Sequence, residues 1–327
     1  MHKRDITDLE ACRNIWTRLV SVKNISDLWD FRFCFQKHYH CDPYFIVLED
    51  HHGIAAMVPL SYVNHLDMYV FFPGETWNQK TWIERTPIYL RKPHFLHEAL
   101  DACPERTYLR YMEMDRDPYI VDLGIDEIGY VFYPSQVDYD LQGFSKRFHN
   151  KKYKEIMKVI RSFADAGSVF HYNRLDDFNI LVDMSLQRYG SHSYLDDGRF
   201  REGFRELIFF LHQKGWLRMV SLEIMGKTVA VDVGATYMGT YTVFLGGTDP
   251  DYMGVAKVMN MHHLEWACRE KMNKVDFLCG DFHWKKLWHL DQEPLYQYIT
   301  FPLDSGKVIH PDIPLEIFSM SEVLTHA

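Results

Sequence analysis

The spacing of hydrophobic and polar residues changes several times along this chain. In the first part of the chain, apolar residues spaced three and four apart predict helices, and a stricter alternation then predicts strands. Thr7 or Asp8 is the expected cap of the first helix, and Gly53 marks the turn between the first two strands of a meander. The predicted elements are helices over 9–20 and 26–36 and strands over 44–48, 54–60, 68–72, 108–112, 119–121 and 130–132.

A second block of elements begins at residue 141 and contains the same kind of meander. The predicted elements are a basic helix over 141–163, a strand over 168–172, helices over 175–188 and 199–214, strands over 217–224, 228–235 and 240–245, a helix over 255–271, and strands over 274–278 and 295–301. Gly53 precedes Phe71 by the same number of residues as Gly226 precedes Phe244. We therefore predict an internal duplication of one supersecondary unit.

The length and composition fit a globular protein of two domains. Of the 327 residues, 47% are hydrophobic and 25% are charged, which is the balance of a folded rather than a disordered chain. A chain of this length suits two domains of ordinary size. We expect an N-terminal half over 1–140, a C-terminal half over 141–301 and a tail over 302–327.

The formal net charge of the protein is -9, from 36 basic and 45 acidic residues. This balance excludes a general nucleic-acid coat protein, whose surface would be broadly basic. The helix predicted over 141–163 is a local exception, and its cations are Lys146, Arg147, Lys151, Lys152, Lys154, Lys158 and Arg161. They form either an ordinary solvated helix face or a surface that attracts the phosphates of CoA, of a nucleotide-linked glycan or of a tRNA.

The N-terminal segment predicts a cytoplasmic protein. Residues 1–16 are polar and charged and contain no apolar segment of a signal peptide. No apolar run has the length of a membrane span. The six cysteines are scattered without a disulfide framework, as in proteins of a reducing compartment.

No metal site is predicted. Cys34, His38, His40 and Cys41 are ligand types at close spacing, but they lack the paired pattern of a structural zinc site. The adjacent histidines His51–His52 and His262–His263 are assigned to a turn and to a helix surface.

The segment between the third strand of the second meander and the following helix carries candidate chemistry. The first N–H groups of a helix have no partner inside the helix, and together with the helix dipole they favour an anion such as a pyrophosphate. An ordinary strand-to-helix turn is the alternative interpretation. The candidate binding residues are Leu245, Gly246, Gly247, Gly254, Val255, Ala256 and Lys257.

The order of meander, glycine turn, helix and strand resembles the core of the GNAT acyltransferases. In that family a Gln/Arg-x-x-Gly-x-Gly/Ala turn holds the pyrophosphate of acyl-coenzyme A. Gly254 and Ala256 match this turn, whereas Asp251 replaces its first residue. A carboxylate there would repel a phosphate unless Lys257 or the basic helix compensates.

A second motif lies downstream and resembles the Asp-Phe-x-x-Gly-(Asp/Glu)…Lys-x-x-Trp signature of the CelD-like GNAT branch. That branch is related to the Fem-type aminoacyltransferases, which have tandem GNAT-like halves. The matching residues are Asp276, Phe277, Gly280, Asp281, Lys285 and Trp288. The resemblance covers residues 141–301 and implies two GNAT-like α/β halves, each with a mixed, mostly antiparallel sheet flanked by helices.

The resemblance also implies an activity, namely transfer of an acyl group from acyl-CoA to an amine. Such a reaction needs a group that removes the amine proton. Asp281 is the first candidate for this base, with Glu223 and Asp232 as rivals on strands, while Asp276 is expected to be a structural hydrogen-bond acceptor. Lys285 is either a cation for a phosphate, a carboxylate or the oxyanion, or a lysine on the surface of a short helix.

The expected acceptor is an amine of a sugar, an amino acid or a cell-envelope precursor, and no metal is required. A Fem-like enzyme that takes an aminoacyl group from charged tRNA is the second hypothesis, and tRNA is the only nucleic-acid partner considered. A catalytically silent GNAT-fold binding module is the third.

Overall fold

The structure, a computed structural model, describes residues 1–78, 80–113, 123–280 and 282–301. These residues divide into two compact units, of which the first contains those of 1–128, 202–204 and 294–301 and the second the remainder. The strand predicted over 119–121, the candidate base Asp281 and the tail over 302–327 lie outside the described residues. The domain boundary predicted at residue 140 stays a prediction.

The described part of the chain contains helices and strands in nearly the predicted order. The helices are α1 (Leu9–Leu19), α2 (Trp29–Tyr39), α3 (Leu96–Asp101), α4 (Leu141–Ser145), α5 (Asn150–Asp165), α6 (Asp177–Tyr189), α7 (Gly198–Gln213), α8 (Val255–Arg269) and α9 (His283–Leu287). The strands are β1 (His2–Ile6), β2 (Asp42–Asp50), β3 (Gly53–Val63), β4 (Met68–Phe71), β5 (Thr76–Trp77), β6 (Lys80–Thr81), β7 (Tyr89–Leu90), β8 (Tyr108–Met112), β9 (Gly124–Phe132), β10 (Val169–Tyr172), β11 (Leu217–Ile224), β12 (Lys227–Tyr237), β13 (Thr240–Thr248), β14 (Lys274–Asp276) and β15 (Asp291–Ile299). No helix among the described residues is long and apolar enough to cross a membrane.

The local sequence determines where the first helix begins and which of its faces is buried. The carboxylate of Asp8 accepts a hydrogen bond from the N–H of Ala11 at 2.8 Å and caps α1, as predicted. One turn further, Cys12, Ile15 and Trp16 are buried in the core of the first unit. The cap and the apolar stripe therefore fix both the start of the helix and the face that it buries.

The sheet of the first unit is antiparallel and has the order β1-β2-β3-β4, with β7 also paired to β3. The edge strand β1 has no counterpart in the sequence prediction. Its residues are mostly exposed and do not alternate between apolar and polar types, so only its backbone pairing with β2 defines it.

The sheet of the second unit has the order β10-β11-β12-β13-β14-β9, in which only β13 and β14 are parallel. Helix α6 covers one face, where Gly247 lies against Leu181 and Met184. Helix α8 covers the other face, where Val255 and Val258 pack in one cluster with residues of β11 and β12. The sheet is thus buried on both faces, which explains its nearly continuous apolar runs.

The two units repeat one order of elements. The series β1-α1-α2-β2-β3-β4 of the first unit recurs as β10-α6-α7-β11-β12-β13 in the second. The central hairpins also share a β-bulge, since the register shifts between Leu48 and Glu49 and again between Leu222 and Glu223. The repeat agrees with the internal duplication that the sequence predicts.

The basic helix predicted over 141–163 is two helices, α4 and α5. Between them Phe148 is buried and packs against the ring of Trp288, with 6.0 Å between the ring centroids. His149 then caps α5 by accepting a hydrogen bond from the N–H of Lys151. The periodicity alone misses this break because the cations on both sides of it continue the helical pattern.

A second bulge shapes β13. The register shifts from Val233–Leu245 to Gly234–Val243, so Phe244 has no opposite residue on β12. A Cβ atom on Gly234 would lie 2.4 Å from the backbone oxygen of Thr242. Glycine is therefore required where β12 meets the bulged strand.

Replacing Gly234 by alanine is expected to lower the free energy of unfolding by about 2 kcal/mol, because the added methyl group must displace backbone rather than a flexible side chain. Urea denaturation measures this loss. Gly198→Ala is the matched control, since a Cβ there meets only the Arg201 Nη2 atom, at 3.8 Å. Equal stability losses in the two variants would contradict the assignment.

Candidate functional site

The parallel pair β13 and β14 separates part-way along β13. The pairing ends at Thr242 and Asp276, whereas β13 continues to Thr248. Past this point the chain after β14 stays with β9, because the N–H of Phe277 donates to the oxygen of Tyr130 at 2.9 Å. No other strand of the described chain pairs with the freed edge of β13. We call this edge, residues 243–248, the β13 opening.

Three of the predicted donor-binding residues lie in the β13 opening. Leu245 is half-buried, Gly246 is exposed, and Gly247 is buried against α6. The bulge at Phe244 directly precedes them. Unpaired backbone N–H and C=O groups at a strand edge bind an extended ligand that carries amide groups.

The start of α8 carries N–H groups without partners in the described chain. Gly254 is the N-cap at φ +86°, and no side chain caps the helix. The N–H of Val255 donates to the oxygen of Tyr252 at 3.1 Å, and that of Lys257 donates to Gly254 at 2.9 Å. The N–H groups of Val255 and Lys257 are therefore engaged within the chain, whereas those of the exposed Ala256 and the N-cap Gly254 are available, and the binding role of all four residues stays a prediction.

The conformation of Gly254 has a packing cause as well. A Cβ atom there would lie 2.9 Å from a methyl carbon of Val159 on α5. The positive φ angle and this close approach both favour glycine. The same contact places α5 beside the start of α8.

Two lysines add positive charge at the start of α8. Burial and the neighbouring ammonium group of Lys152 lower the pKa of Lys257, and the carboxylate of Glu155 only partly opposes this effect. Two close ammonium groups and a helix N-terminus make a favourable position for an anion. The side chain of Lys257 thus adds positive charge at the start of α8, and its role in binding stays a prediction.

The loop before α8 contains two acidic residues, Asp249 and Asp251. Asp249 forms an ion pair with Lys227 at 2.6 Å. Asp249 also accepts a hydrogen bond from the N–H of Asp251, whose side chain is exposed. This geometry leaves the start of α8 predominantly positive despite the acid at position 251.

A buried hydrogen-bonded network lies between the sheet and α8. Asp232 Oδ2 is 2.8 Å from His263 Nε2, and His263 Nδ1 is 3.0 Å from the hydroxyl of Tyr241. His263 and Tyr241 are fully buried, while Asp232 is 9% exposed. Of this network the sequence identifies only Asp232, and a carboxylate inside the apolar run of β12 is the signal that a buried partner exists.

The network continues from Tyr241 to Arg218. The guanidinium of Arg218 lies 3.7 Å from the centre of the Trp266 ring and also faces Tyr172 and Tyr241. Burial lowers the pKa of Arg218, and the two tyrosines oppose this effect. Its Nε atom is buried without a hydrogen-bond partner in the described chain.

The prediction that His262 and His263 lie on a helix surface is wrong for His263, and His262 is half-buried. His263 is 0% exposed, and His262 stacks on Phe170 with 3.8 Å between ring centroids. Burial, with the positive charge of Arg218, lowers the pKa of His262 to about 3. Helix α8 buries residues on more than one face, among them the polar His263, whereas Glu265 and Arg269 are exposed.

Glu223, the strand-borne rival for the base, lies at the β11–β12 turn. Its carboxylate is 3.1 Å from Arg174 and 3.3 Å from His171. Arg174 also binds Asp177 at 2.8 Å. These are the contacts of a half-exposed ion-pair network, and the catalytic role of Glu223 stays a prediction.

Lys285 is 3% exposed and is not a surface lysine. Its ammonium group donates to the backbone oxygens of three consecutive residues, Phe277 at 2.9 Å, Leu278 at 3.1 Å and Cys279 at 2.5 Å. These contacts are those of a residue that positions the loop after β14. A catalytic role for Lys285 stays a prediction.

The loop that Lys285 holds directly precedes the candidate base Asp281, which lies outside the described residues. Leu278 has φ +60° and Gly280 has φ +98°, so the chain turns sharply here. Asp276 accepts a hydrogen bond from the N–H of Leu278 at 2.9 Å, which confirms its expected structural role.

Comparison with known proteins agrees with this geometry. Residues 150–286 match the family model described as acetyltransferase (GNAT) domain. The chain is similar in structure to L-PGS from Bacillus licheniformis, at 12% identity and a TM-score of 0.56 over 98% of both chains. It is similar to FemX at 10% identity and a TM-score of 0.55, over 91% of this chain and 97% of that one. No curated protein matches the sequence.

A tandem GNAT protein from the clavulanic acid biosynthesis pathway matches at 9% identity and a TM-score of 0.50, over 93% of this chain and all 100% of the other. At such identities the likeness concerns the fold alone. The predicted fold class, two GNAT-like α/β halves with mostly antiparallel sheets, is confirmed. The CelD-like branch stays a prediction.

Proposed function

We propose that this protein transfers an acyl group from an acyl-CoA to a primary amine. One observation carries the proposal. The start of α8, with available N–H groups at Gly254 and Ala256 and the ammonium of Lys257, lies at the end of the open edge of β13. The pyrophosphate of acyl-CoA fits the start of α8, and the two amides of its pantetheine arm fit the open edge of β13.

The reaction needs three things from the protein. The attacking amine must lose a proton, the carbonyl oxygen must be stabilised as it becomes an oxyanion, and water must be limited. Backbone N–H groups of the β13 opening are suited to the oxyanion, because no other strand of the described chain pairs with this edge. The acceptor class we propose is an amine of a sugar, an amino acid or a cell-envelope precursor.

A Fem-like transferase that uses aminoacyl-tRNA is the second candidate. The likeness to FemX over nearly the whole of both chains supports it. The outward face of α5 supports it too, because Lys151, Lys154, Lys158 and Arg161 are exposed at spacings of three and four residues.

Calorimetry with CoA, acetyl-CoA, longer acyl-CoAs and tRNA distinguishes the candidates. We expect an acyl-CoA to bind with a dissociation constant between about 1 μM and about 1 mM, the usual range for enzyme substrates. If tRNA binds and neither CoA nor any acyl-CoA does, the result supports the Fem-like transferase instead. Binding of neither would leave a GNAT-fold binding module.

A further inference from the structure

We propose that Asp232 forms the subsite for the primary amine of the acceptor and takes up its proton during acyl transfer. This inference rests on the proposed function and names the carboxylate that the function requires. The buried network behind Asp232 positions that carboxylate. Neither Asp281 nor Glu223 has a role in this proposal.

The position of Asp232 is the first argument. Asp232 pairs with Gly246 across β12 and β13, so both face the same side of the sheet. A Cβ atom on Gly246 would lie 2.2 Å from Asp232 Oδ1. The glycine therefore makes room for this carboxylate oxygen at an exposed position of the β13 opening.

The two oxygens of Asp232 have different surroundings. Oδ2 is bound to His263 at 2.8 Å. Oδ1 has no hydrogen-bond partner among the described residues, and it is not among the fully buried unpaired atoms. One oxygen is thus held from behind, and the other is available to a ligand that enters the opening.

The network also sets the direction of the hydrogen bond to Asp232. Burial raises the pKa of Tyr241, so its hydroxyl remains a donor. His263 Nδ1 must accept this hydrogen bond, and Nε2 then carries the proton that it donates to Asp232. Oδ2 of Asp232 is therefore the acceptor of a hydrogen bond that holds the carboxylate in place.

Arg218 lies beside the far end of this network. Its guanidinium is 5.4 Å from the centre of the Tyr241 ring, and Tyr241 is linked to Asp232 through His263. The unpaired Oδ1 of Asp232 is the acceptor that this arrangement offers to a ligand ammonium group.

Asp232 takes one proton from the acceptor ammonium, and the neutral amine attacks the thioester carbonyl. The new C–N bond forms, the C–S bond breaks, and the thiolate takes up a proton from solvent. The second N–H proton of the tetrahedral intermediate leaves to solvent, as does the proton on Asp232, which restores the carboxylate.

The test uses the full chain labelled with 15N-histidine and ethylamine as the probe, in the presence and absence of CoA. The side-chain resonances of His263 are assigned by their loss in His263→Gln. We expect ethylamine to shift them in a saturable manner, and tetramethylammonium, which has no N–H, to shift them much less. No response of His263 to ethylamine overturns the proposal.

Variants separate a binding role from a structural one. Asp232→Asn is expected to weaken ethylamine binding about tenfold or more, the value of a charge-assisted hydrogen bond. Asp177→Asn, a similarly buried carboxylate that is held by Arg174 on another part of the unit, is the matched control. Equal binding in Asp232→Asn and the wild-type protein, or loss in Glu223→Gln alone, would contradict the proposal.

Tyr241→Phe keeps the test decisive if Asp232→Asn does not fold. It removes one hydroxyl and is expected to increase the fraction of His263 with its proton on Nδ1, which the 15N shifts report directly. Ethylamine affinity should fall with that change, and an unchanged affinity would count against the network. Calorimetric binding of CoA is measured separately, so loss of the donor site and loss of the amine subsite are distinguishable.

Discussion

Replacing Lys257 by glutamate is expected to lower the affinity for CoA about 100-fold, because one charge-assisted contact is lost and a repulsive charge is added. Lys257 is half-buried in the first turn of α8, where Lys152 is its neighbour. Screening by salt is weak at such a position. Calorimetric titration with CoA measures the effect.

Lys158→Glu is the control for the Lys257→Glu variant, since Lys158 is exposed on α5. A change of about twofold in CoA affinity is expected there, as for a screened surface charge.

The pH dependence of CoA binding gives an independent check. Because the pKa of Lys257 is lowered, its charge is lost at a lower pH than that of an ordinary lysine. Affinity for CoA should therefore fall as the pH rises towards this pKa, and Lys257→Gln should remove that part of the fall. Equal losses in Lys257→Glu and Lys158→Glu would exclude the start of α8 as the phosphate site.

Replacing Lys285 by methionine is expected to lower the free energy of unfolding by about 3 kcal/mol, because the buried carbonyl oxygens lose a charged donor. The oxygens of Phe277, Leu278 and Cys279 converge on this one ammonium group. Methionine retains most of the side-chain volume but provides no N–H donor. Chemical denaturation followed by tryptophan fluorescence measures the loss.

The neighbouring Lys286 is exposed, and Lys286→Met is expected to change stability by less than about 0.5 kcal/mol. If Lys285→Met folds with wild-type stability but loses acyl transfer, the catalytic role predicted for Lys285 is supported over the positioning role. If both stability and transfer fall, the loop that precedes Asp281 depends on this lysine for its shape.

The sequence predicts the elements that bury a continuous apolar pattern. The strands of the two meanders and helices α1, α6, α7 and α8 agree with their predicted ranges to within a few residues at most ends. Their glycine turns and the spacing of Gly53 and Gly226 also indicate the repeat. These features depend on local periodicity, which a single sequence displays directly.

The parts that the sequence does not predict depend on contacts between distant residues. The environment of His263 is one example, since its partners Asp232 and Tyr241 lie on two different strands. Lys285 is another, because its burial follows from the turn that its own contacts stabilise. The residues that flank His263 and Lys285 in the sequence do not distinguish them from a histidine and a lysine on a protein surface.

Motif resemblance and geometry contribute different information about the candidate site. The motif identifies Gly254 and Ala256, whose N–H groups are available in the structure. It also includes Val255, whose N–H is engaged with Tyr252. A motif gives the residue types at a turn, whereas only coordinates give the direction of each N–H.

The repeated series of elements bears on how many CoA molecules one chain binds. After β4 of the first unit, the helix that corresponds in order to α8 is α3, which has only six residues. The N–H of its first residue, Leu96, is already used by the oxygen of Pro93 in the preceding turn. Only the second of the two repeated units thus has a long helix at this position, and the first has the six-residue α3. A calorimetric titration should reach equivalence at one mole of CoA per mole of chain.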